Sequence, residues 1–219
     1  KHWGEKEVTA GYLQKLKEAG NFLMDLIGNI LEVARIESGK ETLTETAWNL
    51  CNLEDTLDLL LDRDIYKKQL TLKKNMELQH PKVYCDVLKI QEITMNLLSN
   101  AVKYTPEGGT IHFTIRELPY EREGYALFQT VVEDTGIGIS KEYIPHLFEA
   151  FSREKSSSES GIIGTGLGLR IVKKFVDLME GSIVVESEIG EGTRFTVTIP
   201  HRIATANEYI SEENAKELP

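Results

Sequence analysis

Residues 96–109, which read NLLSNAVKYTPEGG, decide how this sequence folds. Four-residue spacing places Asn96, Asn100 and Tyr104 on one stripe of a helix, with Lys103 beside it. The apolar side chains of the same helix turn toward a core; they are Leu97, Leu98 and Ala101. The stretch therefore predicts an amphipathic helix that carries two amides and one cation on its polar face.

The two amides of this helix suit a metal–nucleotide complex. Mg²⁺ prefers oxygen ligands and usually keeps several waters while it bridges to phosphates, so one or two neutral amide oxygens can hold it. Lys103 would then supply positive charge to a phosphate. From the residues alone a plainer interpretation stays open, in which the asparagines only cap or solvate the helix.

Residues 131–140 (VVEDTGIGIS) form an apolar strand that delivers a carboxylate into a glycine-rich turn. Asp134 at the strand end can accept a hydrogen bond from an exocyclic amine such as that of adenine. Gly136 and Gly138 allow a ligand to approach the backbone closely. For this string taken alone, an ordinary Asp-Gly turn between strand and helix is the favoured interpretation.

Residues 164–169 (GTGLGL) lead into a helix and follow a serine-rich run. Backbone N–H groups at a glycine-rich helix start form an anion site, which the helix dipole strengthens, so phosphates are expected there. The motif lacks the Gly-Lys-Ser/Thr ending of a Walker loop. Residues 150–163, rich in Ser and Glu, are either a mobile cover over the site or a plain surface linker.

The first part of the chain predicts one long helix that ends near Gly39, as expected at a helix C-terminus. Its apolar residues form an a/d seam beside a second stripe. Together they are too wide for one partner helix, which favours a four-helix bundle. The seam is Leu13, Leu16, Gly20, Leu23, Ile27, Ile30 and Ala34, and the second stripe is Ala19, Phe22, Leu26 and Val33.

Helices and strands alternate after residue 40. We expect helices over 52–67, capped by Asn52, from Asp86 onward, and over 141–148 and 167–179. Strands are expected over 70–78, 111–118, 126–133, 182–188 and 194–199. This order predicts an α+β fold, a two-layer α/β sandwich with the Asp86 helix and the 167–179 helix on one face of the sheet.

Composition excludes several classes of function. The 219 residues are 41% hydrophobic and 27% charged, as in ordinary globular chains. A formal net charge of −10 argues against nucleic acid as a partner, since broad binding to phosphates requires a basic face. Cys51 and Cys85 lack metal-site spacing, and we expect both to be buried thiols in reducing cytosol. Without an apolar run of about 20 residues, we expect a cytoplasmic piece of a longer protein, whose membrane anchoring stays open.

Taken together and in this order, the motifs resemble the ATP-binding catalytic domain of two-component sensor histidine kinases. Residues 96–109 resemble the N box, 131–140 the G1 box, 147–151 (LFEAF) the F box, 164–169 the G2 box and 190–195 (GEGTRF) a final glycine-rich box. Residues 23–40 resemble the second helix of the family's dimerisation and phosphoacceptor unit. The resemblance implies the Bergerat ATP-binding fold shared with gyrase, the heat-shock chaperone of ninety kilodaltons and mismatch-repair proteins.

The resemblance also implies roles for individual residues. Asn100 matches the Mg²⁺ ligand and Asn96 its helper, Lys103 a phosphate contact, Tyr104 an aromatic wall beside adenine, and Asp134 the adenine reader. Arg153 matches a γ-phosphate contact. The other nucleotide-binding residues implied are Gly136, Gly138, Gly164, Thr165, Gly166, Leu167, Gly168, Leu169 and Thr193, and the implied anchors of a nucleotide lid are Phe148 and Phe151.

The implied reaction transfers the γ-phosphoryl group of Mg-ATP to a histidine, for relay to a response-regulator receiver domain. The implied assembly is a homodimer through the N-terminal helix. The family's acceptor histidine is followed at once by Glu or Asp, a pattern that none of His2, His80, His112, His146 and His201 has. We therefore expect the acceptor to be absent from this chain. His2 is expected to be a solvated residue near the end of the first bundle helix, close to a turn.

The expected domain boundaries follow from these patterns. Residues 1–40 would be a truncated dimerisation segment and residues 41–202 the ATP-binding catalytic domain. Residues 203–219 form an acidic tail, which is either a linker to a further domain or a frayed end.

Two other functions compete with the kinase interpretation. ATP hydrolases of the gyrase or chaperone type place a glutamate four residues before the metal-binding Asn, where this chain has Asn96, which cannot act as a general base; Glu92 lies one turn earlier. A non-enzymatic dimerisation module would use the N-terminal helix but would leave the glycine motifs unexplained.

Overall fold

The computed structural model describes residues 2–39, 41–152, 165–205 and 208. Within these ranges the helices are α1 (His2–Glu37), α2 (Leu53–Lys67), α3 (Val87–Tyr104) and α4 (Gly168–Leu178). The strands are β1 (Thr46–Asn49), β2 (Thr71–Glu77), β3 (Lys82–Cys85), β4 (Thr110–Leu118), β5 (Tyr125–Asp134), β6 (Ser182–Glu188) and β7 (Gly192–Ile203). Among the described residues, no helix is both long and apolar enough to cross a membrane.

The strands form one mixed sheet in the order β1-β3-β7-β5-β4-β2, and β6 pairs with β7. The β2–β4 pair is parallel and the others are antiparallel. The β5–β7 register pairs Asp134 with Thr193, which places the end of the G1 strand beside the final glycine-rich motif.

Alternating side chains of β4, β5 and β7 bury one face of the sheet against a helical layer. On that face Phe113 and Val132 meet Leu97 of α3 and Phe175 of α4, and all four are essentially inaccessible to solvent. Helices α3 and α4 contact each other and share this core. The predicted α+β sandwich, with these two helices on one face of the sheet, is therefore confirmed.

Helix α3 begins as its sequence predicts. The Asp86 carboxylate caps it by accepting a hydrogen bond from the Lys89 backbone N–H at 3.2 Å. The same carboxyl group accepts from the Thr44 N–H at 2.9 Å. The start of the amide-bearing helix is thus fixed to the segment that precedes β1.

Two local predictions were wrong, and two short strands were missed. The expected helix over 141–148 is reduced to a 3₁₀ turn at Ile144–His146, because Pro145 lacks the N–H that an α-helix would need. The Asn52 side chain makes no capping hydrogen bond; instead Asn49 caps the 3₁₀ turn Leu50–Asn52 that precedes α2. Strands β1 and β3 were also missed, since four residues are too few for a periodic signal.

Two residue-level expectations also require correction. Cys51 is exposed because it lies in the 3₁₀ turn Leu50–Asn52 at the surface, whereas Cys85 is buried as expected. No turn separates His2 from the bundle helix: α1 runs unbroken from His2 to Glu37, and its sequence contains no proline that would interrupt it.

Candidate functional site

A cavity of about 260 Å³ opens between α3, the turn after β5, and the start of α4. It brings together most of the residues singled out in the sequence. Those that line it are Asn96, Asn100, Lys103, Tyr104, Asp134, Gly138, Thr165, Gly166, Gly168, Leu169 and Thr193. Residues from three motifs that are distant in the chain therefore share one concave surface, as expected of a ligand site.

Asp134 lines the cavity from the last position of β5. It is 7% exposed, and its Oδ1 accepts a hydrogen bond from the Gly136 N–H at 2.8 Å. Burial raises the pKa of Asp134 to about 6, although hydrogen bonds from the Gly136 and Thr193 backbones oppose the shift. A buried carboxyl at a cavity wall offers a specific hydrogen-bond acceptor to a ligand.

The turn after Asp134 is held by the neighbouring strands. Gly138 has φ +70°, and a Cβ atom there would collide with the backbone carbonyl of Glu188. The Ile139 N–H donates to Ser187 Oγ at 2.8 Å, and the Gly190 N–H donates to the Ile137 carbonyl at 2.9 Å. These bonds fix the turn against the β6–β7 hairpin, so this wall of the cavity is preformed.

The polar face of α3 forms a second wall. Asn96 and Asn100 lie one turn apart and are both half-buried. The Asn96 amide nitrogen donates to the Glu92 carbonyl at 3.0 Å, and its Oδ1 faces Gly168, where any Cβ would collide with it. The Lys103 Nζ lies 5.1 Å from the centroid of the Tyr104 ring. The wall thus offers amide oxygens, a cation and an aromatic ring to one ligand.

The glycine-rich segment forms a third wall, which meets α3 where Gly168 lies against Asn96. The Thr165 Oγ1 accepts a hydrogen bond from the Leu167 N–H at 3.3 Å, directly before α4 begins at Gly168. The Gly166 carbonyl accepts from the Phe151 N–H at 3.1 Å. The start of an 11-residue helix, with unpaired N–H groups and the positive end of its dipole, suits an anionic ligand.

Several predicted residues lie elsewhere. Leu167 is 1% exposed and belongs to the core, and Gly136 contributes its N–H to Asp134 from behind the wall. Phe148 is half-buried, whereas the Phe151 side chain is 60% exposed, so only its backbone is tied to the glycine-rich segment. Arg153 and Gly164, with residues 153–163 of the predicted cover, lie outside the described residues.

Further residues line the cavity besides those to which the sequence assigned a role, and of these Tyr143, Ser152 and Asn29 lie outside the motifs. Apolar surface comes from Ile137, Ile139, Tyr143, Leu147 and Phe195, and hydroxyl groups come from Ser99 and Ser152. The Tyr143 hydroxyl donates to Ser152 Oγ at 2.9 Å. Asn29 of α1 also lines the cavity, although it is 136 positions from its hydrogen-bond partner Thr165, and no motif pointed to it.

Glu92, the acid that an ATPase interpretation would need, is engaged at the contact with α1. Burial and the neighbouring Glu32 carboxyl raise the pKa of Glu92 to about 7. A carboxyl group that shares a hydrogen bond with a second carboxyl group is not free to orient water in the cavity.

The sequence that forms this cavity matches a known family. Residues 85–203 match the model of the family described as histidine kinase-, DNA gyrase B-, and HSP90-like ATPase. The chain belongs to this family. The match covers α3, α4, strands β4 to β7 and every cavity-lining residue except Asn29, and the expectation of an ATP-binding domain is confirmed.

The curated relatives are signalling kinases. The chain is 36% identical over 191 residues to hybrid signal transduction histidine kinase B of Dictyostelium discoideum, covering 86% of this chain and 10% of that protein. It is 35% identical over 193 residues to the circadian input-output histidine kinase CikA of Synechocystis sp., covering 87% and 25%. The sensor protein GacS of Pseudomonas syringae pv. syringae is 36% identical over 190 residues, covering 86% and 21%. The chain thus spans a quarter or less of the length of these relatives.

Solved structures of histidine kinases share the fold. Full-length ShkA, crystallised in complex with AMPPNP, superposes with a TM-score of 0.74 at 26% identity, covering 90% of this chain and 40% of that chain. The catalytic domain of the histidine kinase ThkA gives a TM-score of 0.58 at 27% identity, covering 73% and 96%. The resemblance to the ATP-binding domain of sensor histidine kinases is confirmed by these comparisons.

Proposed function

We propose that this chain is the ATP-binding and catalytic part of a sensor histidine kinase, which transfers the γ-phosphoryl group of Mg-ATP to a histidine. The observation that carries the proposal is the single cavity in which Asp134, the amides of α3 and the glycine-rich start of α4 converge. Adenine would donate its exocyclic amine to the buried Asp134 carboxyl, beside the Tyr104 ring. The phosphates would extend toward Lys103 and Thr165.

The donor set of the cavity fits Mg²⁺ held together with a nucleotide. Among the described residues, no cluster of three or more His, Cys, Asp or Glu side chains could hold a metal by itself. Neutral amide oxygens from Asn100, with Asn96 as its neighbour, would leave most coordination positions to phosphates and water. When bound, Mg²⁺ would neutralise phosphate charge, while Lys103 holds the phosphate end in place.

The remaining partners follow from the same proposal. A phosphohistidine formed by such a kinase passes its phosphoryl group to a response-regulator receiver domain, which we propose as the downstream partner. The exposed seam of α1 includes Leu13, Leu16, Leu23 and Ile27. Its a/d spacing fits a second copy of this chain as the dimer partner. Residues 1–40 would then belong to the dimerisation domain and 41–202 to the catalytic domain.

Kinase function is favoured over ATP hydrolysis by the position of the acids. Asn96 stands where a hydrolase would use glutamate, and Glu92 faces Glu32 rather than a water in the cavity. None of the five histidines is followed by an acidic residue. We therefore expect slow ATP turnover and no acid-labile phosphate on this chain after incubation with radiolabelled Mg-ATP. Rapid Mg-dependent release of phosphate would favour the hydrolase instead.

Nucleotide selectivity tests the proposal most simply. The chain should bind ATP in calorimetry, and Asp134→Ala should weaken binding by on the order of 1–3 kcal/mol, because a buried hydrogen bond to the base is lost. GTP lacks the amine from which Asp134 would accept a hydrogen bond, so the substitution should change the affinity for GTP less. Equal affinity of wild type and variant for ATP would remove Asp134 from the adenine role.

A further inference from the structure

Helix α1 reaches the nucleotide cavity as well as the outside of the domain. Val33 and Ile36 pack against the core of the ATP-binding domain, and Glu37 forms an ion pair with Arg170 of α4. One turn before Val33, the half-buried Asn29 lines the cavity itself. The C-terminal part of α1 is therefore docked over the glycine-rich segment.

The contact between Asn29 and Thr165 has a chemical consequence for the ligand. Asn29 Nδ2 donates to Thr165 Oγ1 at 3.3 Å, and the Leu167 N–H donates to the same oxygen at 3.3 Å. A threonine hydroxyl has two lone pairs and one proton. With both lone pairs engaged, Thr165 can act toward a ligand only as a donor, and that suits a phosphate oxygen.

Asn29 itself adds to the same preference. Its amide has a second N–H, and both the amide and the Thr165 hydroxyl border the cavity beside Gly166 and Gly168. Asp134 lines the cavity from β5, on a different element. If adenine occupies the Asp134 end, the donors from α1 and the glycine-rich segment meet the phosphates.

We propose that α1 completes the phosphate end of the cavity through Asn29, so that nucleotide binding and docking of α1 onto the ATP-binding domain stabilise each other. This inference rests on the proposed function, because it needs a nucleotide in the cavity. It also follows that an occupied site favours one position of the helix that would belong to the dimerisation domain. By linkage the two effects have the same magnitude.

Calorimetry with Mg-ATP and with adenosine tests the binding side. Asn29→Ala should lower the affinity for Mg-ATP by about 5-fold or more and leave the affinity for adenosine, which has no phosphate, unchanged. The isosteric Asn29→Asp should lower Mg-ATP affinity further, since it places a carboxylate against the phosphates. Asn52→Ala, an exposed asparagine before α2, is the matched control and should bind both ligands as the wild type does.

Hydrogen exchange tests the docking side. Mg-ATP should slow amide exchange over residues 26–37 in the wild type and in Asn52→Ala, but not in Asn29→Ala. Wild-type Mg-ATP affinity in both Asn29 variants, while Asp134→Ala still weakens binding, would overturn this inference and leave the proposed function standing. Equal losses of affinity for Mg-ATP and for adenosine in Asn29→Ala would overturn the position of Asn29 at the phosphate end of the cavity. A wild type that binds no nucleotide would overturn the proposed function itself.

Discussion

Asp134 combines a structural cost with the binding role that we propose for it. Its carboxyl is 7% exposed at the end of β5, and burial raises its pKa to about 6 from the ordinary value of 3.8. The charged form is thus less favourable in the folded protein than in the unfolded chain. A residue that destabilises the fold when ionised is expected at a binding site rather than in an ordinary turn.

The sign of this effect predicts how stability depends on pH. The pKa of Asp134 is higher in the folded protein than in the unfolded chain. Its stabilising contribution to folding is therefore fully present below about pH 4 and is lost as pH rises through about 6. Asp134→Asn removes the ionisation. The free energy of unfolding, measured by urea titration, should therefore differ between variant and wild type in a pH-dependent way. From pH 4 to pH 7 the difference should shift in favour of the variant by on the order of 1–3 kcal/mol.

An exposed carboxyl provides the control for this comparison. Asp62 lies on the exposed side of α2. The free energy of unfolding of Asp62→Asn should differ little from that of the wild type across the same pH range. If the difference between Asp134→Asn and the wild type stays constant from pH 4 to pH 7, burial of a charged Asp134 does not explain the site.

The two asparagines of α3 are expected to contribute unequally to metal binding. The Asn96 amide is already engaged, its nitrogen by the Glu92 carbonyl and its oxygen side by Gly168. Asn100→Ala should therefore reduce the Mg²⁺ dependence of ATP binding more than Asn96→Ala does. ATP titrations with and without Mg²⁺ measure this dependence. An Asn100→Ala variant that keeps the full Mg²⁺ effect would exclude the amide as a ligand.

Among individual residues, the sequence predicted the site residues that lie in recognisable motifs and missed those that reach the cavity only through tertiary contacts. Thr193 came from the final glycine-rich motif, and the β5–β7 register places it beside Asp134. Asn29 carries no local signal, since a single polar residue on a long helix is ordinary. Only the docking of α1 across 136 positions brings it to Thr165.

Among the elements, the C-terminal end of α3 is capped by the side chain of Lys68, the residue that follows α2. The Lys68 ammonium donates to the carbonyls of Val102 at 2.7 Å, Lys103 at 2.8 Å and Thr105 at 3.0 Å. The last carbonyls of a helix have no partner within it, and a cation there also opposes the helix dipole. This end of α3 carries Tyr104, whose own carbonyl accepts from the Ile137 N–H at 3.3 Å.

Loss of this cap should affect both stability and binding. Lys68→Met leaves three carbonyls without their charged donor and should lower the free energy of unfolding by on the order of 1–3 kcal/mol. It should also weaken ATP binding, because Lys103 and Tyr104 lose their support. Chemical denaturation and calorimetry measure the two effects.

The neighbouring residue supplies a matched control for the cap. Lys67→Met removes an exposed lysine one position earlier and should change neither quantity appreciably. Equal stability of the two variants would mean that the cap contributes nothing to α3.

Long periodic elements were predicted well and short ones were not. Helices α2 and α4 and strands β2, β4, β5 and β6 lie within about two residues of their expected bounds, and α3 begins within one residue of its expected start. Strand β7 extends beyond both ends of its expected range. Strands β1 and β3 join the sheet through backbone pairing with each other and with β7, which a four-residue pattern does not encode. Pro145 alone reduced one expected helix to a single turn.

For the whole molecule, the order of motifs predicted the architecture because each motif lies at one terminus of a core helix or strand, and these termini are on the same side of the core. The strand β5 and the helices α3 and α4 share one core, so their ends at Asp134, Tyr104 and Gly168 meet at the cavity. The position of α1 could not be predicted in this way. Its periodicity indicated a bundle partner, whereas Glu37 pairs with Arg170 of α4 and Val33 and Ile36 pack against the core.

The central claim is that one Mg-nucleotide occupies this cavity in a defined orientation, and a crystal structure of the chain with Mg-AMPPNP tests it most directly. We predict the adenine amine within hydrogen-bonding distance of the Asp134 carboxyl, Mg²⁺ beside the Asn100 amide oxygen, and the phosphates against Thr165 and Gly166. A nucleotide bound elsewhere, or one whose base does not contact Asp134, would contradict the account.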